Sequence, residues 1–226
     1  MVDIVFNRGG ILDKYIGDAL MAIFGTPFKK PDDPENAVAV AIEMIQTLRR
    51  YNARRIADGQ DPIDIGIGVN TGEVVVGNIG SPKRMDYTVI GDGVNLAARL
   101  ESATKYYGTQ ILISEATRNR LKPGGITREL DLIRVKGKAK PIADYEVLDF
   151  HTSATFPNLA ETLRLFERGY QQYKMRNWKE AMALFMQALA LFPQDKPSKI
   201  YYQRCIHYQA NPPDAALSGV WTMTEK

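Results

Sequence analysis

Cysteine, tryptophan and histidine are scarce in this chain of 226 residues, which holds one, two and two of them respectively. The single cysteine, Cys205, excludes an internal disulfide and suits a reducing compartment. No stretch reaches the run of about 18 apolar residues that spans a bilayer, and the N-terminus lacks the charged-then-apolar pattern of a secretory signal. A cytoplasmic location is therefore expected, with a membrane tether elsewhere in a longer parent left open. Charge of one sign is also lacking. The net charge is only +3, and residues 1–150 hold 20 basic and 20 acidic side chains, so no basic face argues for nucleic acid or an anionic membrane. The surplus lies beyond, with nine basic against six acidic residues. His151 and His207 have neither metal-ligand spacing nor a partner nucleophile, and no catalytic role is assigned to them.

What is present is ordinary globular composition, 45% hydrophobic and 24% charged, enough for a packed core. Met1 to Phe6 is apolar on both sides of Asp3 and reads as the last turn and a half of a helix, broken by Gly9-Gly10. Alternating apolar residues at Ile11–Ile16 and Leu20–Phe24, divided by Gly17-Asp18, predict a β-hairpin with Asp18 at its tip. Asp33 as N-cap and Pro34 as first helical residue open a helix carrying Ala37, Val40, Ile42, Ile45 and Leu48, which ends near Gly59. The β-branched runs Ile63–Val69 and Val74–Ile79, joined through Asn70-Thr-Gly72, predict a second hairpin. A strand at Asp86–Val89, a helix from Asp92 to about Thr104, a strand at Gln110–Ser114 and a helix at Glu115–Leu121 follow. Leu130–Val135 and Ile142–Val147 form a closing antiparallel pair. The order suits an α+β sheet with helices on its face.

His151 to Pro157 is small and polar and marks a linker between a domain at 1–150 and a helical segment at 158–226. Within that segment Leu163, Phe166, Tyr170 and Tyr173 share one helical face, and Trp178, Ala181, Phe185, Ala188 and Leu191 share another, ending at Pro193. The stretch Tyr173–Pro193 resembles a tetratricopeptide helical hairpin. With a third helix at Pro197–Tyr208 it still falls short of the three repeats needed for independent stability, so it is expected to pack on the first domain or another tail and to offer a surface for a protein partner.

Two segments concentrate polar chemistry: Gly10-Ile-Leu-Asp-Lys-Tyr-Ile-Gly-Asp18 and Gly91-Asp-Gly-Val-Asn-Leu-Ala-Ala-Arg99. Between them they place a carboxylate, a lysine, an amide and a guanidinium in a phosphate-handling arrangement. Each residue also has a plain structural reading. Asp18 after glycine can be a turn aspartate, Lys14 a solvated strand lysine, and Thr88 an ordinary β-branched strand residue. Asn95, Arg99 and Ser102 fall on one polar helix face opposite Leu96 and Leu100, where an asparagine can cap and an arginine can be solvated. Asp92 reads as a helix cap, and Gly72 and Gly77 as turn residues, since no Walker-type lysine follows.

Both segments closely resemble the class III nucleotidyl cyclases, the adenylyl and guanylyl cyclases, over about Met1–Phe150. The resemblance implies a ferredoxin-like (βαββαβ-derived) α+β fold, here lacking its first strand and helix, followed by the small all-α segment. It implies conversion of ATP to 3′,5′-cyclic AMP and pyrophosphate, with Mg²⁺ or Mn²⁺ as a pair of ions. Asp18 then corresponds to a metal ligand, and a hard divalent cation suits an exposed carboxylate. Lys14 corresponds to the purine-selecting lysine that donates to adenine N1, where guanylyl cyclases carry glutamate. Thr88 is its partner and accepts from adenine N6. Asn95 positions the ribose, and Arg99 stabilises charge on the pentavalent phosphoryl group. Lys136 or Lys138, of which Lys136 is preferred, reaches the β- and γ-phosphates.

Family members carry a first metal-binding aspartate on an opening strand that this chain lacks, and Asp3, only fifteen residues ahead of Asp18, is not equated with it. Weak or no activity is therefore expected of residues 1–226 by themselves. The resemblance further implies a head-to-tail homodimer whose two chains share each site. Guanylate cyclase and a catalytically silent dimerising module are the alternatives, the first opposed by Lys14 and the second by intact Asp18, Asn95 and Arg99.

Overall fold

The opening hairpin forms because Gly17 takes a left-handed conformation (φ +63°) between two runs of alternating apolar residues. Strand β1 (Ile11–Ile16) pairs with β2 (Ala19–Ile23) from Ile11↔Ile23 to Ile16↔Ala19, with one irregularity between Leu12 and Lys14 that leaves Asp13 out of the register. The computed structural model describes residues 1–133 and 142–212. Ahead of the hairpin stands helix α1 (Val2–Asn7), which carries Asp3. Its Ile4 and Val5 pack with Val40 and Met44 of helix α2 (Asp33–Ala57) and with Leu20, Ala22 and Phe24, which explains the apolar residues on both sides of Asp3.

After α2 come β3 (Ile67–Val69), β4 (Val75–Ser81), β5 (Arg84–Ile90), α3 (Asp92–Tyr107), β6 (Ile111–Ser114) and α4 (Glu115–Arg118). Then follow β7 (Thr127–Ile133), β8 (Ile142–Val147), α5 (Leu159–Lys174), α6 (Trp178–Leu191) and α7 (Lys196–Ala210). The chain divides into two compact units, residues 1–104 with 110–125, and residues 105–109 with those from 126 on. Both strands and helices occur, as the α+β expectation requires. Among the described residues no helix is long and apolar enough to cross a membrane.

Two local expectations are corrected. Ile63–Val69 and Val74–Ile79 do not form a hairpin with each other. Instead β3 runs parallel to β6, pairing Ile67 with Ile111 and Val69 with Ile113, while β4 pairs antiparallel with β5. Pro82-Lys83 closes the β4–β5 ladder in a two-residue turn between Ser81 and Arg84, so β4 meets β5 before it can meet anything else. Gly68 in β3 has α3 against it: a Cβ there would lie 2.2 Å from the Ala97 carbonyl oxygen, so only glycine admits that approach. Asp33 is not the N-cap of α2 either. It is the first helical residue, and its carboxylate turns back to accept from the Lys30 backbone N–H at 2.5 Å.

In the second unit, helices α5–α7 pack on the β7–β8 hairpin through aromatic rings and two buried arginines. Phe166, Tyr170, Tyr173, Phe185 and Tyr201 form a ring cluster with centroids 4.8–6.3 Å apart. Arg128 on β7 donates to Glu146, its cross-strand partner on β8, and at 2.9 and 3.0 Å to both oxygens of Asp195. Asp195 in turn caps α7 by accepting from the Ser198 backbone N–H. Arg204 on α7 donates to Asp131 at 2.6 Å, and the Tyr107 hydroxyl at the end of α3 donates to the same oxygen at 2.7 Å. Residues 151–157 cross this unit as turns, with Phe156 buried and stacked on Phe192 at 4.0 Å. The three expected helices thus lie on the closing strand pair.

Asp131 and Asp144 face each other across the β7–β8 ladder. Burial, and then the Asp131 charge, push the Asp144 carboxyl well above the usual carboxylate range. Asp144 therefore binds its proton more tightly in the folded state than in the unfolded chain. Its stabilising contribution is present at low pH and is lost as pH rises from the ordinary carboxylate range through the elevated folded value. Glu146 moves the same way, chiefly through burial. Asp144→Asn is expected to unfold at a higher temperature than the parent at neutral pH, with the advantage shrinking as pH falls. Melting curves across pH check this, and a constant difference would contradict it. Arg204→Met strips Asp131 of its buried counter-ion and is expected to cost about 3–5 kcal/mol, measured by denaturant titration.

Candidate functional site

Asp13, which the sequence reading passed over, organises the first half of the site. The irregularity in β1 turns its side chain inward, where it is 1% exposed. Its Oδ2 accepts from the Thr88 hydroxyl at 3.0 Å and lies 3.3 Å from the Lys14 ammonium. Lys14 and Thr88, 74 positions apart in sequence, are thereby held on one carboxylate oxygen. Thr88 is itself buried, whereas Lys14 is nearly half exposed and keeps donors free for a ligand. A second bond joins the segment after β2 to β5, between the Thr26 and Tyr87 hydroxyls at 3.2 Å. No sequence signal marked Asp13, because at a register irregularity the strand's alternation no longer tells which face a side chain takes.

Asp18 is exposed at the β1–β2 turn, and among the described residues no hydrogen bond or ion pair engages it. The space beside Gly17 is open, with nothing within 4 Å of a Cβ built there. An open carboxylate of this kind fits a hard divalent ion that takes few protein ligands and keeps its remaining positions for water and phosphate. Among the described residues no group of three or more histidine, cysteine, aspartate or glutamate side chains comes together.

Asn95 and Arg99 lie on the exposed face of α3, one turn apart, with Leu96, Leu100 and Ala103 buried opposite. Asn70 donates to the Gly93 carbonyl oxygen at 3.0 Å and so fastens the first turn of that helix behind β3. Ser102 continues the stripe, but its hydroxyl is spent on the Ala98 carbonyl at 3.0 Å. Among the described residues no hydrogen bond or ion pair engages Asn95 or Arg99, and none joins them to Lys14, Thr88 or Asp18. Lys136 and Lys138 lie outside the described residues.

A donor and a hydroxyl held side by side match the polar edge of a purine, and a free carboxylate and guanidinium match a polyphosphate and its cation. These are the parts of a nucleotide-processing domain. Residues 12–148 match the family described as the adenylate and guanylate cyclase catalytic domain, and the chain belongs to that family. Its members generally work with divalent metal ions. The terminal-differentiation-specific adenylate cyclase of Dictyostelium discoideum is 35% identical over 205 residues, 89% of this chain and 10% of that protein. The chain thus spans about a tenth of that relative's length. The crystal structure of the adenylyl cyclase CyaB from P. aeruginosa is 38% identical and superposes with a TM-score of 0.58, covering 65% of this chain and 76% of that one. The crystal structure of the guanylyl cyclase Cya2 is 40% identical with a TM-score of 0.56, covering 64% and 73%.

Proposed function

We propose that this chain is the catalytic domain of an adenylate cyclase, which converts ATP to 3′,5′-cyclic AMP and pyrophosphate. The observation that carries the reading is the pairing of Lys14 and Thr88 on Asp13, because it offers adenine a donor for N1 and a hydroxyl for N6 at neighbouring points. Lys14 and Thr88 orient the base, and Asn95 holds the ribose so that its 3′-oxygen faces the α-phosphorus. Arg99 donates to the equatorial oxygens as charge builds there, where a planar guanidinium is worth most. Lys136 reaches the β- and γ-phosphates and favours departure of pyrophosphate. Asp18 would hold Mg²⁺ or Mn²⁺, which when bound draws charge from the attacking and leaving oxygens. The ATP substrate and the lone buried Cys205 suit a cytoplasmic setting.

The resemblance supports a site shared between two chains arranged head to tail, with Asn95 and Arg99, which no hydrogen bond or ion pair engages among the described residues, turned to the Lys14 group of the other chain. Exposed apolar residues on the same hairpins support it further: Tyr15, Ile16, Val75, Met85, Tyr87 and Ile90 are each at least half exposed, more than a free surface ordinarily carries on adjacent elements. The helical segment α5–α7 keeps a tetratricopeptide-like pattern in its sequence and is a candidate surface for a protein partner.

Guanylate cyclase is the second reading, favoured by the 40% identity to Cya2 and opposed by Lys14, whose ammonium cannot accept the N1 hydrogen of guanine. Lys14→Glu decides between them. The ratio of kcat/KM for ATP to that for GTP is expected to fall by roughly tenfold or more in this variant, since a hydrogen-bonding site rejects a base whose polarity is reversed. An unchanged ratio would remove Lys14 from base selection. Mixing tests the shared site. Arg99→Ala is expected to lose about 10²- to 10³-fold in turnover, as loss of one oxyanion donor does, and Asp18→Ala to lose turnover with its metal-holding carboxylate. Together they should recover roughly a quarter of the parent activity, the statistical share of sites that keep both groups in a symmetric dimer. No recovery would place both groups on one chain.

A further inference from the structure

We propose that Asp13 sets the base preference of the site without touching the nucleotide, by fixing which way the Thr88 hydroxyl points its hydrogen. The proposal rests on the reading that Lys14 and Thr88 face a purine.

Thr88 has one hydroxyl hydrogen and two lone pairs. A carboxylate paired with an ammonium can only accept, so the 3.0 Å contact between Thr88 Oγ1 and Asp13 Oδ2 consumes that hydrogen. Toward any other neighbour Thr88 then presents lone pairs alone. It suits the amino group at position 6 of adenine and opposes a carbonyl oxygen at the same position in guanine or hypoxanthine. The same Oδ2 holds the Lys14 ammonium at 3.3 Å, and the lysine retains donors for the unprotonated N1 of adenine. One buried atom therefore fixes both halves of an acceptor-plus-donor pattern that is complementary to adenine and mismatched to a 6-oxopurine.

Burial argues that Asp13 acts through its neighbours. Its side chain is 1% exposed, and no ligand reaches it while the hairpins stay in place. Its other oxygen, Oδ1, is buried with no hydrogen-bond partner among the described residues. A buried carboxylate satisfied on one side only is a poor choice for stability, and such groups call for another explanation. Asp13 is accordingly a positioning residue for base selection.

The test compares equilibrium binding of ATP and of inosine triphosphate in the presence of Mg²⁺, since hypoxanthine carries the 6-carbonyl and N1–H without the 2-amino group. The parent chain is expected to favour ATP. Asp13→Asn can turn its amide N–H₂ toward Thr88, which frees the hydroxyl to donate outward, and the ratio of dissociation constants is expected to shift toward inosine triphosphate by roughly tenfold. Thr88→Val should shift the ratio comparably, Thr88→Ser should retain it, and the Asp13→Asn, Thr88→Val double variant should fall no further than either single one. The threonine pair keeps the test open should Asp13→Asn fold poorly. If Thr88→Val shifts the ratio while a folded Asp13→Asn does not, the proposal is overturned and the adenine reading stands. If Thr88→Val leaves the ratio unchanged, or if the parent chain does not prefer ATP to begin with, the base-selection reading fails and the proposal fails with it.

Discussion

A single carboxylate oxygen, Asp13 Oδ2, ties the two hairpins of the first unit together. It links β1 to β5 across the two hairpins, holding a lysine on one and a threonine on the other. The link exists because β1 is irregular between Leu12 and Lys14, which sends Asp13 inward and Lys14 outward from consecutive positions. A regular strand would also alternate, but the extra residue breaks the register with β2 and so re-aims the pair. The adjacent turn at Gly17 then leaves Asp18 open to solvent. The groups proposed for base selection and metal binding thus come largely from one six-residue strand and the turn that follows it.

The other chemical group of the site depends on a different constraint, the approach of β3 to α3. Gly68 permits contact that any side chain would block, and Asn70 closes the helix start from the same segment. Asn95 and Arg99 consequently sit on a helix whose buried face is fixed, while their own face stays open. In the second unit, two buried arginines add to aromatic packing as the fastening between strands and helices. Buried ion pairs of this kind add little net stability when complete but are costly to break. They tie α7 to β7, since Arg128 reaches both Glu146 and the helix-capping Asp195, and Arg204 reaches Asp131.

Much of this was legible from residue order. The β1–β2 hairpin, α2, α3, the closing strand pair and all three C-terminal helices follow from periodicity and glycine positions, and the motif around Asp18 carried the family. The partner of β3 was not legible. Ile67–Val69 reads as a strand from composition, but whether it pairs with β4 or with β6, more than forty residues on, depends on the turn at Pro82-Lys83 and on the fit of Gly68 under α3. Asp33 misled because capping preference is local, whereas its carboxylate found the Lys30 amide one turn back. Asp13 was hidden for a similar reason: its importance lies in Thr88, a partner distant in sequence.

The central claim is the proposed selection of ATP by the Lys14 and Thr88 pair. The direct measurement offers the purified chain ATP and GTP together at equal concentration with Mn²⁺, and identifies both the bound nucleotide and the cyclic product by chromatography. The account predicts ATP as the bound nucleotide and 3′,5′-cyclic AMP as the main cyclic product, formed at the weak rate expected of residues 1–226 by themselves. Preferential binding of GTP, or cyclic GMP as the main product, would contradict it.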